Sequence, residues 1–241
     1  MQTAKTSSTL LTEGTIWKKI LNFAFPLFLG NLFQQLYNTA DSLIVGNFIN
    51  SDALAAVSSS GSLIFLLVGF FNGISVGAGV VIARYYGARD GEKVERAVHT
   101  TVAFGLVAGI TLMLAGIFFT PHILQWMGTP SDVLPQSVTY FRIYFCGSLF
   151  FVLYNIFVGI LQSTGDSRHP LIYLIISSVV NIVLDLLFIA VLGFGVGAAA
   201  LATIISQFIS AVLCLIRLMR SEEEYRICIR SIRFDSFMLK Q

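Results

Sequence analysis

Residues 171–192 read LIYLIISSVVNIVLDLLFIAVL. The stretch is 22 residues long and carries one charge, Asp185, four positions after Asn181. As a helix it covers about 33 Å, enough to cross a hydrocarbon core of about 30 Å. An aspartate near the centre of such a helix costs about 2.5–3.5 kcal/mol on insertion scales. A segment this apolar therefore keeps an acid only where something compensates for it.

The rest of the chain has the same character. Of its 241 residues, 56% are hydrophobic and 12% charged, about half the charged share of a soluble domain, roughly 25%. Long apolar segments lie at about 16–48, 53–84, 97–120, 137–162, 171–192 and 195–219. They are too long for buried strands and lack the alternation of a membrane barrel. The expected architecture is an all-α integral membrane bundle of six transmembrane helices. Residues 1–15 form an N-terminal segment, 16–219 the six-helix lobe and 220–241 a polar, basic tail. The first two segments exceed 30 residues, so they should tilt or bend, and Pro26 should kink the first. The N-terminal stretch MQTAKTSSTLLTEGTIWKK has no small-residue cleavage site, so the first apolar segment is expected to stay as a span.

Basic residues set the expected orientation. Of 15 Lys and Arg, all but Arg142 fall in the first 19 residues, the 83–96 loop, the 163–170 loop or the stretch from Arg217. By the positive-inside rule both termini are expected in the cytoplasm, with the protein in the plasma membrane. Cys146, Cys214 and Cys228 have no disulfide or metal spacing and read as packing residues. His99, His122 and His169 are scattered and form no metal motif.

Polar residues recur inside the spans at helical spacing. Asn31, Gln34, Gln35, Asn38 and Asp41 fall on one stripe of the first. Ser177, Ser178, Asn181 and Asp185 form another, and Thr203, Ser206, Gln207 and Ser210 a third. Asn155 and Gln162 in the fourth span, and Asn72 and Ser75 in the second, add to the set. Hydrogen bonding between helices explains many such Ser, Thr, Asn and Gln residues. It explains the two aspartates poorly, because the insertion penalty exceeds what one such contact returns. A proton or Na⁺ shared by Asp41 and Asp185 would remove the charge problem, and amide and hydroxyl oxygens suit a hard cation. The Gly spacing in GISVGAG (73–79) reads as close helix packing.

Several chemistries are absent from the pattern. GARDGEK lacks the spacing of a phosphate loop, and there is no nucleophile elbow or H-E-x-x-H. No enzymatic activity, cofactor or nucleic-acid partner is expected. Energy for any transport would come from an ion gradient or from a partner.

Four stretches together carry a family resemblance. They are PLFLGNLFQQLYNTADSLIVG from Pro26, ISVGAGVVIARYYGARDGEKVERA (74–97), ILQSTGDSRHP (160–170), and NIVLD followed by GFGVGAAALATIISQ (181–207). In order and spacing they resemble the N-terminal half of MATE (multidrug and toxic compound extrusion) transporters, closest to the DinF-like branch. The resemblance implies one lobe of a twelve-helix, cation-coupled antiporter that exports bulky, often cationic organic molecules. It implies a Na⁺ or H⁺ site at Asp41, Asn155, Asn181, Asp185 and Thr203, bending at Pro26, and a cavity lined by Gln34 and Asn38. It also implies a second lobe, or a second copy, to complete the cavity, with residues 220–241 as the linker toward it. A lipid-linked oligosaccharide flippase of the same superfamily is the nearest alternative, though Arg142 is the lone basic candidate near a span for an anionic headgroup. A non-transporting membrane scaffold is the other, and it would not need two acids on converging stripes.

Overall fold

The computed structural model describes residues 15–49 and 61–241, with side chains in the second stretch described from Ile64 onward. Among these residues the chain is helical and has no strand. Helix α1 spans Ile16–Phe48, α2 Gly61–Gly87, α3 Gly91–Trp126, α4 Leu134–Cys146, α5 Ser148–Ser163, α6 Arg168–Asp185 and α7 Gly197–Met219. A π turn, Leu186–Val191, prolongs α6, and two 3₁₀ turns, Ile229–Ser231 and Met238–Lys240, lie in the tail. By length and composition α2, α3, α6 with its π turn, and α7 can each cross a membrane, and α4 with α5 makes a fifth, bent crossing. Helix α1, at 33 residues, is about 50 Å long and long enough to cross as well. Its polar stripe makes it less apolar than the others.

The bundle is organised as lipid demands. Large apolar side chains such as Phe65, Phe70, Phe118, Val179 and Val183 point outward, because lipid tails are as apolar as the core. Small residues sit between helices, where backbones approach closely. The inner face of α7 shows this: Ala198, Ala199, Ala202, Thr203, Ser206 and Ala211 are all buried. One apolar cluster joins α2, α3, α5, α7 and the tail around Val98, Ile156, Ile160 and Leu218. A second joins α1, α3, α4, the π turn and α7 around Val45, Leu124, Phe141 and Ala199.

Three expectations about the spans are corrected. The third runs from Gly91 to Trp126 rather than over 97–120. Asp90 caps it by accepting the backbone N–H of Lys93 at 3.2 Å, so most of the expected 83–96 loop is helix. Only Ala88–Asp90 joins α2 to α3, with Arg89 in the left-handed region at φ 57°. The fourth span is not one helix over 137–162: α4 and α5 meet at Gly147 at an angle of 49°. A Cβ on Gly147 would overlap Ile204 of α7, so glycine at the bend lets α7 pack directly on it. The fifth span stays helical from Arg168 but changes to π register after Asp185, with the Leu192 N–H reaching the Leu187 carbonyl at 2.9 Å. Residues 53–60 of the expected second span lie outside the described residues.

The tail is docked on the bundle. Tyr225, Ile227 and Met238 are buried against the first cluster. The Cys228 N–H donates to His99 Nε2 at 3.0 Å, while His99 Nδ1 lies 2.8 Å from the Glu95 carbonyl. Asp235 pairs with Arg96 at 2.6 Å, its N–H donates to the Thr100 hydroxyl at 3.2 Å, and Tyr85 donates to Gln241 at 2.8 Å. All these anchors lie on the facing ends of α2 and α3.

Two predictions follow from this packing. Gly147→Ala forces Ile204 aside and destabilises the lobe by about 1–3 kcal/mol, read as a lower midpoint of thermal unfolding in detergent. The Arg96 guanidinium, helped by the N–H groups of Met238 and Phe237, holds the Asp235 carboxyl below the usual carboxylate range. A lowered folded-state value contributes stability that is complete above the unfolded value, about 3.9, and is lost as pH falls through the folded one. The tail should therefore stay docked at neutral pH and release only in strong acid, whereas Asp235→Asn loosens it at neutral pH. Amide hydrogen exchange at Ile227 and Cys228 reads both effects.

Candidate functional site

Helix α1 packs along α6 and the π turn, and this seam brings the two spans' acids together. Asp41 is 8% exposed, and Asn181 and Asp185 are 0% exposed. The two carboxyls face each other closely enough for a hydrogen bond once one holds a proton. No protein donor reaches Asp41 Oδ1 or either Asp185 oxygen, and neither polar atom of the Asn181 amide has a partner. Buried polar atoms in native proteins are nearly always paired, so five unpartnered atoms on three neighbouring residues mark a place meant for something else. The local backbone is also unusual. Asp185 is the last α-helical residue before the π turn, and π turns inside helices occur frequently at functional positions.

Three tyrosines surround the acids. Tyr37 of α1 and Tyr140 of α4 lie beside Asp41 and Asp185, and Tyr144 of α4 lies beside Asp41. Tyr140 and Tyr144 stack at 6.3 Å, one turn apart. The Tyr37 hydroxyl pairs with Gln34, and the Tyr144 hydroxyl with Gln207 of α7. The sequence reading passed over these tyrosines. Their signal was present: two tyrosines at i, i+4 in YFRIYF, and hydroxyls inside spans, where each needs a partner.

The other expected site residues fall elsewhere. Thr203 is buried, with its hydroxyl returned to the Ala199 carbonyl of its own helix at 3.0 Å. Asn155 donates to the Phe151 carbonyl at 2.8 Å, and its own carbonyl accepts from Ser75 at 2.6 Å. It lines a cavity of about 570 Å³ between α1, α2, α5 and α6, together with Pro26, Gln34, Asn72 and Gln162. The stripe on α1 therefore divides. Gln34 faces this cavity, Asp41 the acid pair, and Gln35 and Asn38 the outside of the lobe. Asn38, expected to line a cavity, is on that exposed face with its amide 3.4 Å from Gln35. Among the described residues no group of three or more His, Cys, Asp or Glu could hold a metal. The acidic set is a pair, flanked by amide and phenol groups.

The MatE family profile matches residues 26–187, which includes both acids. The chain belongs to the MATE family. It is 36% identical to the probable multidrug resistance protein YoeA of Bacillus subtilis, over 86% of this chain and 46% of that protein. To the multidrug export protein MepA of Staphylococcus saprophyticus it is 25% identical, over 92% of this chain and 49% of the relative. It superposes on a multidrug resistance MATE family transporter of the MOP superfamily, solved in an outward-facing conformation, with a TM-score of 0.89 and 28% identity. That match covers 100% of this chain and 53% of the solved one. The chain thus spans about half the length of the relatives it matches and corresponds to one lobe of a MATE transporter. Those relatives are named for multidrug resistance or export, and the solved one is a transporter.

Within this MATE lobe the unpartnered acids have a measurable consequence. Asp185→Asn replaces one of two facing carboxylates with an amide that can donate to Asp41. It should stabilise the lobe by about 1–3 kcal/mol, seen as a higher unfolding midpoint at neutral to alkaline pH. A midpoint lowered by the substitution would mean that the two carboxylates already have partners.

Proposed function

We propose that the chain is the N-terminal lobe of a secondary active efflux transporter. It exports drugs or other organic, often cationic, molecules in exchange for Na⁺ or H⁺. The coupling cation binds at Asp41 and Asp185, with Asn181 beside them. Asn155 and Gln34 belong to the neighbouring cavity, and the Thr203 hydroxyl stays on the Ala199 carbonyl of α7. Pro26, which has no N–H to give to the Asn22 carbonyl, is the point at which α1 bends. The end of the bundle carrying Lys19, Arg84, Arg168 and Arg217 faces the cytoplasm of a cell whose plasma membrane holds the protein.

The observation that carries this reading is the pair of buried carboxylates without a donor. Two like charges in apolar surroundings are stable only when a cation or proton is shared between them. Binding that charge at one seam of the bundle gives an ion gradient something to act on. The exposed face of α1 supports the need for a second lobe. Gln35 and Asn38 are exposed there in the middle of a spanning helix. Lipid does not accept such a face, so a second lobe or a second copy covers it and completes the substrate cavity.

Transport assays in proteoliposomes carrying the protein with its completing lobe decide the matter. Asp41→Asn and Asp185→Asn should each abolish gradient-driven drug export while membrane insertion and protein amount stay normal. Unchanged export in both variants would sink the proposal. Na⁺ should raise the unfolding midpoint if it is the coupling ion, by about 2.7 kcal/mol at a hundredfold excess over its dissociation constant. No such rise, together with export that follows a pH gradient, assigns the role to the proton.

A further inference from the structure

A second cavity lies at the basic end of the lobe. It measures about 430 Å³ and is bounded by the first turns of α1, the α5–α6 loop, the end of α7 and the tail. It shares two residues, Phe23 and Ser167, with the cavity that holds Gln34 and Asn155. Ser167 is buried and Phe23 half-buried, and the two spaces adjoin at this aromatic ring and this loop residue. The cavity that holds Gln34 and Asn155 continues inward through polar groups: Gln34 lines it and lies beside Tyr37, and Tyr37 lies beside Asp41 and Asp185.

We propose that the two cavities form one proton route from the basic end of the lobe to the acid pair, with Phe23 against Ser167 as its gate. The inference rests on the antiport reading above and names the path that the coupling charge takes within the lobe. Three features of the molecule support it.

The first is the position of this junction. Phe23 lies three residues before Pro26, and Pro26 leaves the Asn22 carbonyl without its helical donor. Asn22 lines the outer cavity and Pro26 the inner one. The break in the hydrogen-bond ladder of α1 therefore falls where the two cavities adjoin, and a rotation of residues 16–25 about it would carry Phe23 relative to the α5–α6 loop. The second is a proton-bearing pair at the mouth. His169 Nδ1 lies 2.6 Å from Asp166 Oδ2, and the His169 N–H donates to Asp166 Oδ1 at 3.2 Å. The pair sets one ring nitrogen against the carboxylate and leaves Nε2 as the other polar atom of the ring. The third is the charge of the mouth. Lys19 of α1, Arg168 at the start of α6 and Arg217 of α7 line it, against Asp166 and against Glu223 of the tail, with Tyr86 and Tyr225 as the other titratable neighbours. Arg217 Nε is 3.7 Å from Asp166. Three permanent cations to two acids offer no seat for a metal cation, whereas a His–carboxylate pair passes protons on.

The test uses the transporter with Cys146, Cys214 and Cys228 replaced by serine and Ser163, which lines the inner cavity, changed to cysteine. A membrane-impermeant thiol reagent is applied from the cytoplasmic side of membrane vesicles. Phe23→Ala should speed labelling several-fold and Phe23→Trp should slow it. Equal rates in the two variants would show that no gate lies at Phe23 and would overturn the route. His169→Gln should slow pH-gradient-driven export while drug affinity, measured by equilibrium binding, stays unchanged. Full-rate export in His169→Gln would overturn the assignment of the proton to this mouth. The antiport reading fails separately, through the aspartate variants: lost export in Asp41→Asn with labelling indifferent to Phe23 would reject only the route.

Discussion

Two carboxylates that face each other inside an apolar bundle, with no donor to either, are the constraint around which this lobe is built. A lone acid could have been removed from a lipid-facing helix or carried to a helix end. Asp41 and Asp185 are instead held on the seam of two spans, α1 and α6, and both are buried. Much of the surrounding structure serves to keep that seam closed. Ile44, Val45 and Ile189 pack beside it with Phe141 and Phe145 of α4 in one apolar cluster. The small face of α7 lets the other helices come close, and the bend at Gly147 sets α4 and α5 at different angles against α3 and α7.

The fold was legible in the sequence to the extent that lipid dictates it. Apolar length gave the spans, and the clustering of basic residues gave a polarity to the bundle. What lipid does not dictate was harder to read. Asp90 begins α3 well before the apolar run does, because a cap satisfies backbone N–H groups regardless of which side chains follow. Gly147 breaks the fourth span because Ile204 approaches it, and that neighbour is 57 residues away in the chain. The docking of residues 220–241 rests on His99, Arg96 and Thr100. In the sequence these read as a stray histidine, an arginine of the 83–96 loop and a threonine with nothing to single it out. Each miss is a tertiary contact that local pattern cannot contain.

The site was legible in part for the same reason. An acid inside an apolar helix stands out without any knowledge of its neighbours, so Asp41 and Asp185 could be paired from the insertion penalty alone, and Asn181 follows by helical spacing. Asn155 and Gln34 could not be placed, because periodicity fixes a face and not the element opposite. Asn155 proves to be held against α2 through Ser75. The five-residue stripe on α1 was too wide to be one face. Asn31 and Gln34 line the inner cavity and Asp41 points into the lobe, while Gln35 and Asn38 face outward. The tyrosines were missed because an aromatic ring in a span reads as packing until its hydroxyl is found beside an acid.

That division of α1 has a mechanical implication. Its inner face is held mainly by α6 and the π turn. Its exposed face carries Gln35 and Asn38 among apolar side chains such as Phe28, Leu32 and Leu36. A helix held along one side, interrupted by a proline and carrying one acid of the pair moves at lower cost than helices packed on several sides, such as α3 or α5. Neutralising the acids changes the energy of the α1–α6 seam, and the same rigid segment that bears Asp41 also bears Gln34 on one cavity and Gln35 and Asn38 on the face turned toward a second lobe. In the proposed cycle the charge at the seam and the shape of the substrate cavity are therefore coupled through a single helix, with no relay across the rest of the bundle. The docked tail fits this division of labour. By fixing residues 225–241 to α2 and α3, it ties the chain leaving α7 to that side of the lobe.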